Sequence, residues 1–166
     1  GKVSKSEEGE FSEGKLHGQG KVTSYGPNEK ITESYEGKFE GGTYHGQGKQ
    51  TVFGPNDKPE HTYEGRFHEG RLHGQGKSTL FDNGKKTQFY EGGFEEGMAS
   101  GQLVKRSWYD HTEESIIGEV TPDTSTPDHY TMKFLSGATF TGPIDPITKF
   151  PILQNLSQFN EDDLND

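Results

Sequence analysis

The sequence predicts an all-β fold: a single elongated, twisted antiparallel meander of β-hairpins that ends in a short irregular C-terminal segment. Three observations predict it. The string His-Gly-Gln-Gly-Lys starts at His17, His45 and His73, so it returns every 28 residues. Around each copy, aromatic and charged residues alternate with the period of two that a half-buried strand requires. No part of the chain shows the 3.6-residue apolar period of a long amphipathic helix.

The composition would suggest disorder if the repeat were ignored. Only 25% of the 166 residues are hydrophobic, 24 are glycine, and the formal net charge is −10. Such a chain cannot bury one large globular core. Repeats that stack in one dimension bury apolar side chains only against their nearest neighbours, so this composition can still fold. The absence of cysteine excludes a disulfide scaffold, and no apolar run reaches the roughly 18 residues of a membrane span.

Each repeat is built around a glycine between two aromatic positions. Four good units share the pattern, with tyrosine two residues before the glycine in all but the first unit. The glycines and the phenylalanines that follow them are Gly9, Gly37, Gly65, Gly92, Phe11, Phe39, Phe67 and Phe94. Two degenerate copies follow, at 116–120 and 136–144. The predicted organisation is a sheet of four good units and one degenerate unit at 1–120, a linker or loop at 121–129, a degenerate last hairpin at 130–144, and an extended acidic tail at 145–166.

Within one unit, the residues predict two strands and two different turns. Tyr35–Phe39 places both rings on one face and the intervening charged side chains on the other, which defines the first strand. The glycine between the rings leaves room for a neighbouring ring or backbone. We expect a first bend at 42–46 and a second strand at 47–53. The next loop contains Gly-Pro-Asn in two units and Asn83-Gly84 in the third, and both are turn signals.

The repeat closely resembles the MORN repeat (membrane occupation and recognition nexus), most clearly in residues 64–76, which read Glu-Gly-Arg-Phe-His-Glu-Gly-Arg-Leu-His-Gly-Gln-Gly. The resemblance covers residues 7–110 well and 116–144 weakly. The unit here is longer than the usual MORN repeat because of the Gly-Pro-Asn loops, and phenylalanine stands where the family usually has tryptophan. The resemblance implies a sheet that docks proteins, often in cytoskeletal, ciliary or other large assemblies, and therefore a cytoplasmic location.

The row of aromatic side chains is the candidate partner-binding surface. Its members are Tyr35, Phe39, Tyr63, Phe67, Tyr90, Phe94 and Trp108. Two interpretations remain open: the rings pack on one another, or they line a groove that takes a helix or peptide of a partner protein. Both can hold, because a single-layer sheet cannot cover both of its faces. An open sheet edge would also allow self-association into a homo-oligomer.

The sequence carries no pattern that indicates catalysis, a cofactor or a metal site. His17, His45 and His73 would lie one repeat apart along the sheet, too far to converge on one ion. There is no cysteine nucleophile, and the glycines of the repeated string lead into a strand, whereas a phosphate-binding loop leads into a helix. The acidic balance disfavours nucleic acid and membrane lipid as partners. We therefore expect no enzyme and no cofactor.

The leading functional prediction is a non-enzymatic scaffold for protein–protein interaction. An alternative is a regulatory domain of a larger enzyme, since MORN repeats accompany some SET-type lysine methyltransferases and phosphatidylinositol phosphate kinases. A third hypothesis is a phosphoinositide-binding surface. It would need a basic cluster, and the chain offers only Lys85-Lys86 and Lys105-Arg106.

Overall fold

The computed structural model describes residues 4–109 and 112–143, and these residues form one open antiparallel sheet. Its eleven strands lie side by side in chain order. They are β1 Lys5–Ser12, β2 Lys15–Tyr25, β3 Ile31–Glu40, β4 Thr43–Phe53, β5 Pro59–His68, β6 Arg71–Asp82, β7 Lys85–Glu95, β8 Met98–Tyr109, β9 Thr112–Pro122, β10 His129–Phe134 and β11 Thr139–Pro143. The predicted all-β meander of hairpins is confirmed.

The connections differ between the two ends of the strands. At one end, here called the short-turn edge, four two-residue turns and one longer loop join the strands. They are 13–14, 41–42, 69–70, 96–97 and 123–128. The opposite end, here called the long-loop edge, carries the other described connections, at 26–30, 54–58, 83–84 and 135–138.

The short turns are tighter than the sequence indicates. The bend predicted at 42–46 is a turn at 41–42, and β4 already begins at Thr43. Both turn residues are glycines with positive φ, which allows the chain to reverse in two residues. A register shift between Gly37 and Phe39 accommodates two extra residues in β4. Residues 43–46 therefore stay in the strand.

Three of the two-residue turns are also bonded to the hairpin before them. In each case the amide of the second turn residue donates a hydrogen bond to a carbonyl near the start of the strand that directly precedes the hairpin. These bonds join Gly42 to Leu16, Gly70 to Tyr44 and Gly97 to Leu72, at 2.8, 3.0 and 2.9 Å. Successive repeats are thus fixed to one another at this edge by backbone hydrogen bonds.

The linker predicted at 121–129 is a loop within the same sheet. β9 continues to Pro122, β10 begins at His129, and the two strands pair directly. The predicted last hairpin is present as β10 and β11. The predicted acidic tail, 145–166, lies outside the described residues.

The pairing register sorts the side chains onto two faces. On one side, here called the aromatic face, direct cross-strand partners run in the order Val22, Tyr35, Gln50, Tyr63, Ser78 and Tyr90. One residue along each strand, a second row points to the opposite side, here called the charged face. It runs Glu8, Lys21, Glu36, Lys49, Glu64, Lys77 and Glu91. Tyr35, Tyr63 and Tyr90 share one face, as predicted.

The hydrophobic core lies on the aromatic face. Its fully buried members include Leu16, Tyr35, Phe67, Tyr130 and Phe134. The core thus extends from the first hairpin to the last, as expected for repeats that pack on their neighbours. The described residues contain no helix that is long and apolar enough to cross a membrane.

Paired glycines let the aromatic rings lie flat against the backbone. Gly37 and Gly48 face each other across β3 and β4, and a Cβ on Gly37 would lie 2.5 Å from the Cα of Gly48. A Cβ on Gly48 would overlap the ring and hydroxyl of Tyr35. The space left by the missing side chain is therefore filled by the tyrosine of the same repeat.

Candidate functional site

The structure buries most of the predicted aromatic row. Tyr35 has no exposed surface, and Phe67 is only 2% exposed. Phe39, Tyr90 and Phe94 are also buried, whereas Tyr63 is half-buried. Trp108 lies on β8 opposite Glu113, and its side chain is outside the described part of the structure. Tyr63 is therefore the described member of the row with most access to a ligand.

The buried rings form one interlocked cluster across β3, β4 and β5. Tyr35 stacks on Tyr44 with ring centroids 3.7 Å apart, and the edges of Phe39 and Phe67 each meet Tyr35 at 5.1 Å. The Tyr35 hydroxyl donates to the Lys38 carbonyl at 3.1 Å. Edge-to-face pairs such as those of Phe39 and Phe67 with Tyr35 add to the energy of burial. The cluster is a rigid support for whatever lies on the half-exposed residues beside it.

Burial changes the acidity of two of these tyrosines. Desolvation raises the pKa of Tyr35 to about 12. Tyr44 also has its pKa raised to about 12, first by desolvation and then by the charge of Glu33, which accepts a hydrogen bond from its hydroxyl at 3.4 Å. Both phenols are neutral at physiological pH, so they act here as hydrophobic rings with one polar end.

Two polar contacts, one part-buried and one buried, position residues beside the cluster. Glu33 accepts a hydrogen bond from Gln50 Nε2 at 2.9 Å, which fixes the amide of Gln50. His61 Nε2 lies 2.5 Å from Ser78 Oγ, and both residues are buried. The ring of Tyr63 stacks on His61 at 4.3 Å. The half-exposed Tyr63 is thus supported by a ring that is itself held by a hydrogen bond.

A groove of about 1000 Å³ opens on the aromatic face at the short-turn edge. Its residues come from β4, β5, β6, β8 and the connections beside them: Gln50, Tyr63, Phe67, Gly70, Arg71, Leu72, Glu96, Gly97, Met98 and Asp128. Tyr63 and Met98 are half-exposed, whereas Phe67 and Leu72 beneath them are buried. The surface offered is thus an apolar floor with two accessible side chains.

The sheet curves around this groove. Gln50 lies on β4, and Asp128 directly precedes β10. In a flat sheet, strands that far apart would be separated by about 25–30 Å. Because both residues line one cavity, the strands between them bend toward the aromatic face.

The charged residues of the groove all lie on its rim at the short-turn edge. Arg71 Nη1 is 3.4 Å from Glu96 Oε2, and both side chains are about two-thirds exposed. Asp128, also exposed, adds a further negative charge. An exposed pair of this kind contributes little to stability. These groups are therefore available to a ligand at the mouth of the groove.

A row of histidines lies beside the turns. His68 stands between two of the repeated histidines, with ring centroids 5.5 Å from His45 and 5.7 Å from His73. His45 Nε2 lies 3.2 Å from a carboxylate oxygen of Glu40. Within the described residues, no group of three or more histidine, aspartate or glutamate side chains is arranged to hold a metal ion.

Sequence reasoning missed most of the groove. It named Tyr63 and Phe67, but not Gln50, Leu72, Met98 or the charged rim. Leu72 occupies the repeat position of Leu16 and Tyr44, so the repeat itself offered a signal for it. Asp128 offered none, because only the curvature of the sheet brings it to the site.

Comparison with known proteins agrees with the repeat. The family model described as MORN repeat matches residues 8–25, 35–51, 63–85 and 90–102. These four segments are the four good units found in the sequence, and each contains the glycine and phenylalanine pair that organises a hairpin. No curated protein matches the chain.

Proposed function

The chain is a MORN-repeat protein, and from this we propose that it is a non-enzymatic scaffold that holds a partner protein in the groove on its aromatic face. The partner presents a helix or an extended peptide to the groove. We further propose that the scaffold works in a cytoplasmic assembly such as a cytoskeletal or ciliary complex, as the MORN resemblance implies.

The observation that carries the proposal is the contrast within the groove floor. Tyr63 and Met98 are half-exposed, while the residues beneath them are fully packed. Interfaces draw most of their affinity from a few aromatic or flexible apolar anchors on a rigid support. Tyr63 is held by its stack on His61, so a partner would bind it without having to order it first.

The charges on the rim support a partner that carries a basic residue. Glu96 is already paired with Arg71, whereas Asp128 contributes a further negative charge. A partner segment with apolar side chains along one face and a lysine or arginine near Asp128 complements this arrangement. The apolar side chains supply affinity, and the charge sets the orientation of the segment.

The test compares capture of partners by the wild-type chain and by two double variants. Tyr63→Ala/Met98→Ala removes the two half-exposed side chains on the floor of the groove and leaves the buried rings in place. The matched control, Lys49→Ala/Glu64→Ala, changes two exposed residues of the charged face on β4 and β5. Circular dichroism must first show that both variants keep the sheet.

We expect the groove variant to lose partner affinity by about tenfold or more, as for interface anchors in general, and the control to retain it. If a folded groove variant retained every partner of the wild type, the groove would not be the docking site. If the control lost the partners instead, the charged face would take its place.

A further inference from the structure

We propose that the segment after β11, residues 144–159, occupies the same groove when no partner is bound, and thereby regulates access to it. This proposal rests on the groove being the docking site. The occupant is thus a segment of the chain itself, bound in cis.

The exit point of the chain is the first argument. β11 runs toward the short-turn edge and ends at Pro143, which is the cross-strand partner of His129. The residue before His129 is Asp128, which lines the groove. Paired Cα atoms of an antiparallel ladder lie about 4.5–5.5 Å apart. The chain therefore leaves the sheet at the rim of the groove.

The composition of the segment is the second argument. Residues 144–159 contain seven large apolar side chains: Ile144, Ile147, Phe150, Ile152, Leu153, Leu156 and Phe159. Seven of sixteen is well above the 25% hydrophobic content of the whole chain. The stretch carries one acidic and one basic residue, Asp145 and Lys149, so the acidic rim does not repel it. The seven residues that follow, 160–166, carry the acidic groups.

The spacing of these residues suits a groove. Ile152, Leu153, Leu156 and Phe159 recur at three- and four-residue intervals, the pattern of one face of an amphipathic helix. Such a face laid into an apolar groove is a recurrent mode of peptide recognition. Pro146 and Pro151 disfavour a helix over 144–151, which spans about 25 Å when extended, and residues 152–159 add about 12 Å as a helix, so the segment reaches into the groove.

The segment also begins beside its site, which makes its binding strong for its contact area. A tethered ligand experiences an effective concentration on the order of millimolar. A free partner at lower concentration must therefore offer better contacts than the segment to displace it. The groove thus responds only to partners of high affinity or high local concentration.

The absence of cysteine from the chain provides a direct test by disulfide cross-linking. The test pair is Gln50→Cys with Ser157→Cys in the full chain, which joins the aromatic face inside the groove to the segment. The control pair is Arg66→Cys with Ser157→Cys. Arg66 is exposed on the neighbouring strand β5, next in sequence to the groove residue Phe67, so its side chain points to the charged face. A disulfide needs Cα atoms within about 7 Å, so each pair reports where the segment lies.

We expect the test pair to form an intramolecular disulfide at least about tenfold faster than the control pair, because docking raises the local concentration only at the groove. Adding Leu153→Asp/Leu156→Asp to the test pair should abolish this advantage. Equal rates for the two pairs, no cross-link in either, or cross-linked dimers in place of monomers would each overturn the proposal.

A second measurement separates this proposal from the proposed function. A synthetic peptide of residues 144–159 should bind the Leu153→Asp/Leu156→Asp chain at least about tenfold more tightly than the wild-type chain, whose groove is filled. Equal binding to both chains would overturn self-occupation. If the groove variant Tyr63→Ala/Met98→Ala still lost its partners in that case, the docking function would stand without this regulation.

Discussion

The two faces of the sheet are built from the same strands and the same 28-residue repeat, yet they use them in opposite ways. On the aromatic face, the ring centroid of Tyr35 lies 3.7 Å from that of Tyr44 and 5.1 Å from that of Phe67. On the charged face, lysine and glutamate alternate across seven strands, and the Lys49–Glu64 pair is separated by 3.8 Å in the open. The aromatic face therefore holds the repeats together, and the charged face is exposed to solvent.

The charged face also has a row that is not charged. Thr62 and Thr79 are direct partners on β5 and β6, and both are buried. Next to Thr79 in the same row is Phe89, and Lys77 Nζ lies 5.0 Å above its ring. Threonine fits a pleated, half-buried surface, and a lysine stem covers apolar area while its ammonium group stays in water. The two faces thus differ in whether large rings pack on one another, and both faces contain buried residues.

The largest expected effect is from Phe67→Ala on the aromatic face. Phe67 is 2% exposed and contacts the rings of both Tyr35 and Tyr44. Removing it leaves a cavity between two repeats and should lower the free energy of unfolding by about 3–5 kcal/mol. Urea denaturation followed by circular dichroism measures the change. A loss below about 1 kcal/mol would mean that the aromatic face does not hold the repeats together.

A smaller effect is expected from Gly48→Ala. The new methyl group would overlap the Tyr35 ring, which must shift away from its stack on Tyr44. Overpacking of this kind costs about 1–3 kcal/mol. Gly14→Ala is the control, because a Cβ there meets nothing within 4 Å, although its φ of 77° adds some strain. Denaturation curves that placed the two variants level would show that close packing of Tyr35 on Gly48 is unimportant.

The repeat made the fold and its faces predictable, because alternation and glycine position are local properties of the sequence. Tyr35 and Phe39 announce a strand and its buried side without any knowledge of the neighbours. Only a small part of the groove was predictable. Met98 and Asp128 come close to Tyr63 because of the pairing register of several strands and the curvature of the sheet that these strands form. The sequence likewise did not indicate that Tyr35 would be fully buried while Tyr63 stayed half-exposed. The exposure of each ring depends on which neighbouring side chain packs over it.

Alkaline pH should weaken the aromatic face. Tyr35 and Tyr44 have pKa values near 12 in the folded chain against about 10 when unfolded. The folded state therefore holds more protons between these values, and the stability that the neutral phenols contribute is complete below pH 10 and falls as pH rises toward 12. Denaturation at pH 9, 10 and 11 measures the fall, and Tyr44→Phe should reduce its slope. A flat profile from pH 10 to 11 would contradict the burial of these hydroxyls.

The smallest effect is expected from the charged face, at the Lys49–Glu64 pair. Both side chains are about half-exposed, and their charges are 3.8 Å apart, so the pair gains little in water and is screened by salt. Lys49→Ala should change the free energy of unfolding by less than about 1 kcal/mol, and a double-mutant cycle with Glu64→Ala should give a coupling of about 0.2–1 kcal/mol that shrinks in high salt. A coupling of several kcal/mol that persisted in salt would show that the row of alternating lysine and glutamate stabilises the fold. The aromatic face would then not be the main source of stability.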